Sequence, residues 1–477
     1  NETIVGSNFN SLLVSGSLTI NPKAITVNAA DKTKTYGDAN PALTYSITSG
    51  ALVGSDTLTG SITTAATTTS SVGDYDITQG TLTNANNTNY AITYVDGTLT
   101  VAKRILNVAL GTITKTYNGN TTATITGSDY TITNTANSDS FSITQTLGTY
   151  DDEDVNDVSS VTVSLSSSHF SATSGSVSNY TLPTSISGTG AITAKALTVT
   201  SNDASKTYGQ TVTLTGSEFT SSGLENSETI GSISLASSGA AATANVNTYD
   251  ITPSSATGGT FDINNYSVTY ATGTLTVNPA TLTVTADDQS KTYGDANPSL
   301  TATYAGFQNS DTSSVITGSP SLSTLATTTS GAGDYTITAG AGDLSASNYT
   351  FSYVDGTLTI NQKAITLTAD AQSKTYGDTF TFDGDEFTTS TMVGSESIAS
   401  ASFSVASSAD STTTANAGTY TITPSATVAT SGTDLNNYSI TYATSDLTVG
   451  KRTLSLALTG ATTKTYDGNT SATLTSS

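Results

Sequence analysis

Apolar and hydroxyl-bearing side chains alternate in short runs along the chain. A period of two with β-branched residues is typical of a half-buried strand, with one face toward a core and the other toward water. Clusters of Gly, Asn, Asp and Ser interrupt the runs about every ten residues, the turn spacing of a β-sandwich. No stretch has convincing helical periodicity, so the pattern predicts an all-β protein. Examples of the runs are Ile25-Thr26-Val27, Leu197-Thr198-Val199-Thr200, Leu282-Thr283-Val284-Thr285 and Ile365-Thr366-Leu367-Thr368.

A motif of Lys-Thr-Tyr followed by Gly, Asn or Asp occurs six times, at intervals of about 80 to 90 residues. Such an interval corresponds to a whole small domain rather than to a solenoid rung of about 20 to 50 residues. The sequence therefore predicts a tandem array of Ig-like β-sandwich domains. The lysine and tyrosine of the copies are Lys34 and Tyr36, Lys115 and Tyr117, Lys206 and Tyr208, Lys291 and Tyr293, Lys374 and Tyr376, and Lys464 and Tyr466.

The motif also predicts the domain boundaries. Roughly two residues separate the last strand of one domain from the first strand of the next, which leaves no flexible linker and predicts an extended, stiff rod. At about 3.3 Å per strand residue, a domain measures about 35–40 Å and five reach about 200 Å. We expect a piece of a longer protein, with an incomplete repeat at each end. The predicted segments are 1–21, 22–101, 102–193, 194–278, 279–361, 362–449 and 450–477.

Tyrosine supplies most of the large side chains. The chain has 23 tyrosines, 11 phenylalanines and no tryptophan, and most of the tyrosines recur at matching places in the repeats. Tyr90 and Tyr94 share a face if they lie on one strand. We expect the rings to fill the cores and the hydroxyls to bind backbone at the domain edge, as in a tyrosine corner. An exposed, sugar-binding aromatic strip is the alternative.

The repeats are of two kinds, and each resembles a known family. One kind begins Lys-Thr-Tyr-Gly and ends like Asn89–Val101; it closely resembles the MBG ("mostly beta, glycine-rich") domain. The other runs from Lys115-Thr116-Tyr117-Asn118-Gly119-Asn120 through Gly148-Thr149-Tyr150-Asp151 to Leu197 and resembles the YDG domain. Asn118 replaces the usual aspartate, which Asp467 keeps. The resemblance implies a large secreted bacterial surface protein, adhesin- or haemagglutinin-like, with no enzyme activity.

Composition excludes several classes of function. The formal net charge is −23, from 14 Lys+Arg against 37 Asp+Glu; such a surface repels nucleic acid and anionic membranes. No signal-peptide pattern or apolar run of about 18 residues is present, so we expect no membrane insertion within this segment. Enzyme motifs, cysteine and histidine pairs are also absent, and the single His169 is expected to have no role. We predict no catalytic and no cofactor-binding residues.

Acidic clusters give one candidate for metal binding. The densest is Asp151, Asp152, Glu153, Asp154 and Asp157. Calcium prefers several carboxylate and carbonyl oxygens, and a second, smaller candidate is Asp287-Asp288. Neither has the spacing of a known calcium loop, so a solvated acidic loop is the alternative for both.

Two further hypotheses concern the lysines and the threonines. An internal Lys–Asn isopeptide bond would join a motif lysine to the asparagine near its repeat end; the alternative is a lysine whose stem packs on tyrosine and whose head meets an aspartate. Threonine ladders could bind ice or sugar, but small sandwiches twist, whereas an ice face needs long flat sheets. The repeat-end asparagines are Asn89, Asn179, Asn265, Asn348 and Asn437.

The function predicted from these features is mechanical. We expect a stalk or spacer of a giant secreted adhesin at the bacterial cell surface, which projects a tip toward a surface or glycan target bound outside this segment. Its immediate partners would be neighbouring repeats of the same chain. The alternative is the body of an extracellular filament, in which identical chains exchange strands.

Overall fold

A computed structural model describes residues 16–457 and 463–471 of the chain. The described residues form β-strands and short 3₁₀ turns, which confirms the all-β prediction. No helix among them is long and apolar enough to cross a membrane. Much of the two predicted incomplete repeats, 1–21 and 450–477, lies outside the described residues.

The chain divides into two compact units. The first takes in the described residues up to Asp203, with Leu214–Ala236 and Ile251–Gly273. The second takes in Ala204–Thr213, Ser237–Asp250 and the described residues from Thr274 onward. We use the names repeats 1 to 5 for the segments 22–101, 102–193, 194–278, 279–361 and 362–449.

Repeat 1 consists of two sheets, and its first two strands, β1 and β2, lie in different sheets. In one sheet β1 pairs antiparallel with β3 and parallel with β6. In the other, β7 pairs parallel with β2 and antiparallel with β5, which carries β4 at the edge. The seven strands described here are β1 (Lys23–Ala29), β2 (Lys32–Thr35), β3 (Tyr45–Ser49), β4 (Thr63–Thr64), β5 (Gly73–Thr78), β6 (Tyr90–Val95) and β7 (Gly97–Ala102).

Repeat 2 has eleven described strands, against seven in repeat 1. Five form one sheet in the order β10-β18-β15-β14-β11, and the others pair as β12 with β9, β13 with β16 and β17 with β8. The strands are β8 (Arg104–Ile105), β9 (Asn107–Leu110), β10 (Ile113–Thr116), β11 (Thr122–Thr124), β12 (Tyr130–Thr133), β13 (Ser140–Ile143), β14 (Leu147–Tyr150), β15 (Ser160–Ser164), β16 (Phe170–Ser174), β17 (Tyr180–Thr181) and β18 (Ser185–Thr193).

Repeat 3 contributes strands to both units. In the first unit β19 pairs antiparallel with β21 and parallel with β24, and β22 pairs with the later part of β23. In the second unit β20 pairs parallel with β25. The strands are β19 (Lys195–Ser201), β20 (Ala204–Thr207), β21 (Phe219–Ser222), β22 (Ile230–Ala236), β23 (Asn247–Gly259), β24 (Tyr266–Ala271) and β25 (Gly273–Asn278).

Repeats 4 and 5, in the second unit, have the same pairing as repeat 1, with sheets ordered β28-β26-β31 and β27-β32-β30-β29, then β35-β33-β38 and β34-β39-β37-β36. Their strands are β26 (Ala280–Ala286), β27 (Gln289–Thr292), β28 (Ala302–Ala305), β29 (Ser321–Thr324), β30 (Gly333–Gly340), β31 (Tyr349–Val354), β32 (Gly356–Asn361), β33 (Lys363–Ala369), β34 (Gln372–Thr375), β35 (Phe387–Thr389), β36 (Ile398–Val405), β37 (Gly418–Ala429), β38 (Tyr438–Ala443) and β39 (Ser445–Gly450).

Seven 3₁₀ turns accompany the strands in the described part of the chain. Three of them end on an asparagine that immediately precedes a strand-initiating tyrosine in repeats 2, 3 and 5. The turns are Gly127–Asp129, Ser167–His169, Val177–Asn179, Ile263–Asn265, Ser313–Val315, Ala406–Ser408 and Leu435–Asn437.

The apolar cores continue across repeat boundaries. In the first unit one buried cluster extends from Tyr36 and Val101 of repeat 1, through repeat 2, to Leu197 of repeat 3. In the second unit a cluster joins Leu358 of repeat 4 to Leu367 of repeat 5. Burying apolar surface stabilises by about 25 cal/mol per Å². Neighbouring repeats within a unit therefore stabilise one another.

Replacing Leu358 by Ala should destabilise the chain by about 2–5 kcal/mol, because a fully buried leucine leaves a cavity that collapses only in part. Leu325→Ala is the matched control in the same repeat, since its side chain is 96% exposed, and it should change stability by less than about 0.5 kcal/mol. Urea unfolding followed by circular dichroism measures both. Equal losses in the two variants would contradict this assignment of the core.

Candidate functional site: the inter-repeat junction

A carboxylate lies between two tyrosine hydroxyls at each of the four boundaries between repeats 1 to 5. One tyrosine belongs to the Lys-Thr-Tyr motif of the earlier repeat, and the other follows the repeat-end asparagine of the later one. At the first boundary Tyr36 and Tyr180 both donate to Oδ2 of Asp139, at 3.0 and 2.8 Å. The other sets are Tyr117, Tyr266 and Glu228; Tyr208, Tyr349 and Asp311; and Tyr293, Tyr438 and Glu396.

Aspartate and glutamate accept the two tyrosine hydroxyls in different ways. Asp311 accepts both hydroxyls on Oδ2, at 3.0 Å from Tyr208 and 2.7 Å from Tyr349. The longer Glu228 accepts one on each oxygen, at 2.6 Å from Tyr117 and 2.5 Å from Tyr266. In all four sets the two rings meet edge to face, with centroids 5.4–5.5 Å apart. This is a favoured geometry for aromatic pairs.

A tight turn places each carboxylate. In repeat 2 the N–H of Asp139 donates to the carbonyl of Ala136 at 2.8 Å, and the central Asn137 and Ser138 have φ of 53° and 61°. Two consecutive positive φ values define a type I′ turn. The N–H of Ala136 donates to the Tyr180 hydroxyl at 2.9 Å, so that hydroxyl both accepts and donates. The corresponding turns are Glu225–Glu228, Gln308–Asp311 and Val393–Glu396.

Packing between repeats explains why glycine follows the motif tyrosine. Gly37 has φ of +85°, and a Cβ there would lie 2.2 Å from the Cβ of Ala136, in the turn of the next repeat. Gly294 has φ of +88°, and a Cβ there would lie 2.5 Å from a methyl group of Val393. Each glycine lies so close to a side chain in the turn of the next repeat that an added Cβ would push the repeats apart.

The repeat-end asparagine also crosses the boundary. Asn179 is buried and accepts a hydrogen bond on Oδ1 from the N–H of Val72 in repeat 1, at 3.0 Å. The recurrence of this residue therefore has a structural cause. The equivalent bonds reach Asn265 from Val155 at 2.8 Å, Asn348 from Val246 at 2.9 Å, and Asn437 from Ala332 at 2.7 Å.

The motif lysines bind main-chain carbonyls of their own repeats, not the repeat-end asparagines. Lys34 Nζ donates to Asp38 O at 3.2 Å and Thr67 O at 2.5 Å. Burial lowers the pKa of this lysine. The lysine head therefore meets carbonyls where we expected an aspartate carboxylate, and the isopeptide hypothesis gains no support. Lys206, Lys291 and Lys374 make equivalent bonds, whereas Lys115 also lies 4.9 Å from the ring centroid of Tyr150.

The remaining motif residues lie near the end of the chain and are exposed. Tyr376 is 43% exposed and Tyr466 is 93% exposed, in contrast to the buried Tyr36. Lys464 forms an ion pair with Asp467 at 2.9 Å. His169 accepts a hydrogen bond on Nδ1 from the N–H of Ser166 at 3.1 Å, which makes it part of a local turn.

The structure brings together three of the five predicted calcium ligands. Carboxylate oxygens of Asp152, Asp154 and Asp157 lie within 4.8 Å of one another. Asp151 instead accepts hydrogen bonds from Ser159 and Ser160, which lower its pKa.

The other acidic candidates have separate environments. Burial lowers the pKa of Lys115, and the nearby Glu153 opposes that shift in part. Asp287 accepts from the hydroxyl of Thr301 at 2.6 Å, and Asp288 accepts from the N–H of Thr357 at 2.8 Å. The two neighbouring aspartates thus cap different strands. Calcium binding at either place stays a prediction.

Reasoning from sequence missed the four junction carboxylates. The signal was present as Asn-Ser or Gly-Ser followed by Asp or Glu, as in Asn137-Ser138-Asp139 and Gly394-Ser395-Glu396. The number of residues from the carboxylate to its own-repeat tyrosine varies between 38 and 42 among the four junctions. A search at fixed spacing from that tyrosine therefore does not align them, although three of the four lie 103 residues after the motif tyrosine of the preceding repeat.

The fold and its junctions define a tandem array of β-sandwich domains. The family model of the MBG domain (YGX type) matches residues 25–100, 197–276, 282–359 and 365–448, and the chain belongs to that family. The YDG domain model matches residues 102–188. Both resemblances expected from the motifs are confirmed.

Other comparisons are more distant. No curated protein matches the chain. Among solved structures, Drosophila N-cadherin EC1-4 is 9% identical with a TM-score of 0.17, and the match covers 72% of this chain and 99% of that one. A titin tandem is 13% identical with a TM-score of 0.17, covering 54% and 100%. The Bacillus anthracis TIE protein is 8% identical with a TM-score of 0.19, covering 73% and 75%.

Asp139→Asn should destabilise the first junction by about 1–3 kcal/mol, because two buried hydroxyls lose a charged acceptor. Asp56→Asn is the matched control. Asp56 occupies the same turn position in repeat 1, is exposed, and accepts from the single tyrosine Tyr90 at 2.7 Å. Urea midpoints compare the two variants. A loss at Asp56 as large as that at Asp139 would show that the second tyrosine contributes nothing.

Alkaline pH should weaken the junctions. Burial and a hydrogen bond to a carboxylate raise the pKa of Tyr180, Tyr266, Tyr293, Tyr349 and Tyr438 to about 12, against about 10 in an unfolded chain. Because the folded pKa is higher, this stabilisation is complete below about pH 10 and is lost as the pH rises through about 12.

The absorbance of tyrosinate, followed as a function of pH, measures the pKa values of the tyrosines directly. One group of tyrosines should ionise only near pH 12, and circular dichroism should show loss of native structure over the same pH range. Titration of every tyrosine near pH 10, with the native structure intact, would refute the assignment.

Proposed function

We propose that this chain is a structural stalk or spacer segment of a secreted bacterial surface protein. The observation that carries the proposal is the parallel pairing of an entering strand near the start of each repeat with the last strand of that repeat, in all five repeats. In repeat 1 the entering strand is β2, which directly follows β1, and its residues Lys32–Thr35 pair with Leu99–Ala102 of β7.

This pairing suits a load along the chain. Pulling the two ends of a repeat apart slides the paired strands along each other, so their hydrogen bonds are loaded together instead of one after another. The same pairing occurs between β27 and β32 and between β34 and β39. A stalk that transmits force needs this arrangement in every link.

The junctions suit a stiff connection. Each boundary combines a tyrosine–carboxylate–tyrosine set, an asparagine bond to the earlier repeat and an uninterrupted chain. We therefore propose that the segments 22–101, 102–193, 194–278, 279–361 and 362–449 act as successive links of an extended rod. Five links of about 35–40 Å would give about 200 Å.

The family supports an extracellular setting. MBG and YDG domains suggest a repeat-containing surface protein, and the net charge of −23 disfavours nucleic acid as a partner. We propose a position at the bacterial cell surface and a target, a surface or a glycan, that other parts of the protein bind.

The filament with strand exchange is the weaker candidate. Repeats 1, 4 and 5 each complete both of their sheets with their own strands, so they offer no vacant strand position. The exchange hypothesis depends on the segments 1–21 and 450–477, of which the structure describes residues 16–21, 450–457 and 463–471. The stalk is the proposal that we carry forward.

Force spectroscopy tests the load path. Thr33→Pro, in β2, should lower the unfolding force of repeat 1, because proline removes a backbone donor and disrupts pairing in the entering strand. Thr63→Pro is the matched control, an exposed threonine on the edge strand β4 of the same sheet. Equal reductions, or none for Thr33→Pro, would count against the shear geometry.

Negative-stain microscopy with and without EDTA tests the overall form and the calcium prediction. Straight rods of about 200 Å in both conditions would support a stalk that needs no metal. Rods that lose their stiffness in EDTA would support calcium at the junction near Asp154. Collapsed particles in both conditions would refute the stalk.

A further inference from the structure

We propose that the tyrosine pair at each junction is a site of oxidative cross-linking, at which a dityrosine bond joins successive repeats covalently. This proposal concerns the chemistry of the junction and does not depend on the stalk function. The four pairs are Tyr36 with Tyr180, Tyr117 with Tyr266, Tyr208 with Tyr349, and Tyr293 with Tyr438.

The geometry brings the reacting ends of the phenols together. Tyr36 and Tyr180 have ring centroids 5.5 Å apart, and their hydroxyls bind the same oxygen of Asp139. The ortho carbons that couple in a dityrosine lie next to those hydroxyls. The two rings are 4% and 1% exposed, so a radical formed on one meets its partner ring before a tyrosine of another molecule.

The carboxylate supplies the second requirement, a proton acceptor. A phenol loses an electron more easily when its proton leaves at the same time, because the radical cation is avoided. The O–H of each tyrosine already points at a carboxylate oxygen, and the same aspartate or glutamate serves both rings. Tyr90, bound to the exposed Asp56, has the acceptor but no second tyrosine among the described residues.

The reaction balances with a one-electron oxidant, of which the oxidised haem of a peroxidase is one class. Two equivalents take one electron from each tyrosine, and each O–H proton passes to the carboxylate and on to water. The two radicals form a carbon–carbon bond between their ortho carbons. Each of those carbons then loses its hydrogen as a proton while its oxygen regains one. The net change is the loss of two electrons and two protons.

The test uses the intact chain and a small oxidant that does not require docking. Tris(bipyridine)ruthenium(II) is illuminated briefly with persulfate, the chain is digested, and cross-linked peptides are identified by mass spectrometry. We expect peptides joining the four junction pairs to dominate over links from the exposed Tyr45, Tyr442 and Tyr466. Links confined to exposed tyrosines, or mainly between molecules, would overturn the proposal.

Variants separate the roles of ring and carboxylate. Tyr36→Phe should abolish the first link and leave the other three, with circular dichroism confirming the fold. Asp139→Asn keeps both rings and should reduce the first link alone, since the proton acceptor is lost. An unchanged yield of the first link in Asp139→Asn would refute the role of the carboxylate. Loss of all four links in Tyr36→Phe would show that the junctions do not react independently.

Discussion

A buried or half-buried carboxylate at each repeat boundary restricts how the two neighbouring repeats can pack against each other. Asp139 is 8% exposed, and a desolvated charge without hydrogen-bond donors costs several kcal/mol. Its side-chain donors are the hydroxyls of Tyr36 and Tyr180, which come from different repeats. The carboxylate is therefore fully satisfied only when the two repeats are docked in one orientation. Directional bonds of this kind select a geometry that apolar contact alone leaves adjustable.

The continuous cores follow from the same docking. At each of the four boundaries the motif tyrosine places its ring in the core and its hydroxyl on the carboxylate, so apolar and polar contacts form together. In the first unit this joins repeat 2 to a neighbour on each side. Neighbouring repeats within a unit are therefore not independent domains. Within each unit, the end of one repeat is part of the hydrophobic core of the next.

The sequence predicted those features that local pattern controls. Alternation indicated the strands, and the recurring tyrosines indicated the repeats. Of those tyrosines, Tyr36 and Tyr180 are buried as expected, whereas Tyr376 and Tyr442 are exposed. Strand pairing could not be predicted from the sequence, because no distinctive residue pattern marks the point between β1 and β2 where the chain passes from one sheet to the other. The junction carboxylates were also missed, since hairpins of different length shift them relative to Tyr180 and its counterparts. The extra strands of repeat 2 have no equivalent in the other repeats.

The differences among the junctions indicate which parts are essential. In repeats 2, 3 and 4 the turn carries an asparagine whose side chain donates to a carbonyl of the preceding repeat, as Asn309 does to Ala242 at 2.9 Å. Repeat 5 has Gly394 at that position, which has no side chain to donate. Gly394 has φ of 60° but Ser395 lacks the positive φ of Ser138, and the N–H of Glu396 still closes the turn on the carbonyl of Val393 at 3.1 Å. Glu396 still binds both Tyr293 and Tyr438. The asparagine bond is thus an adjustable addition, whereas the shared carboxylate is kept at all four boundaries.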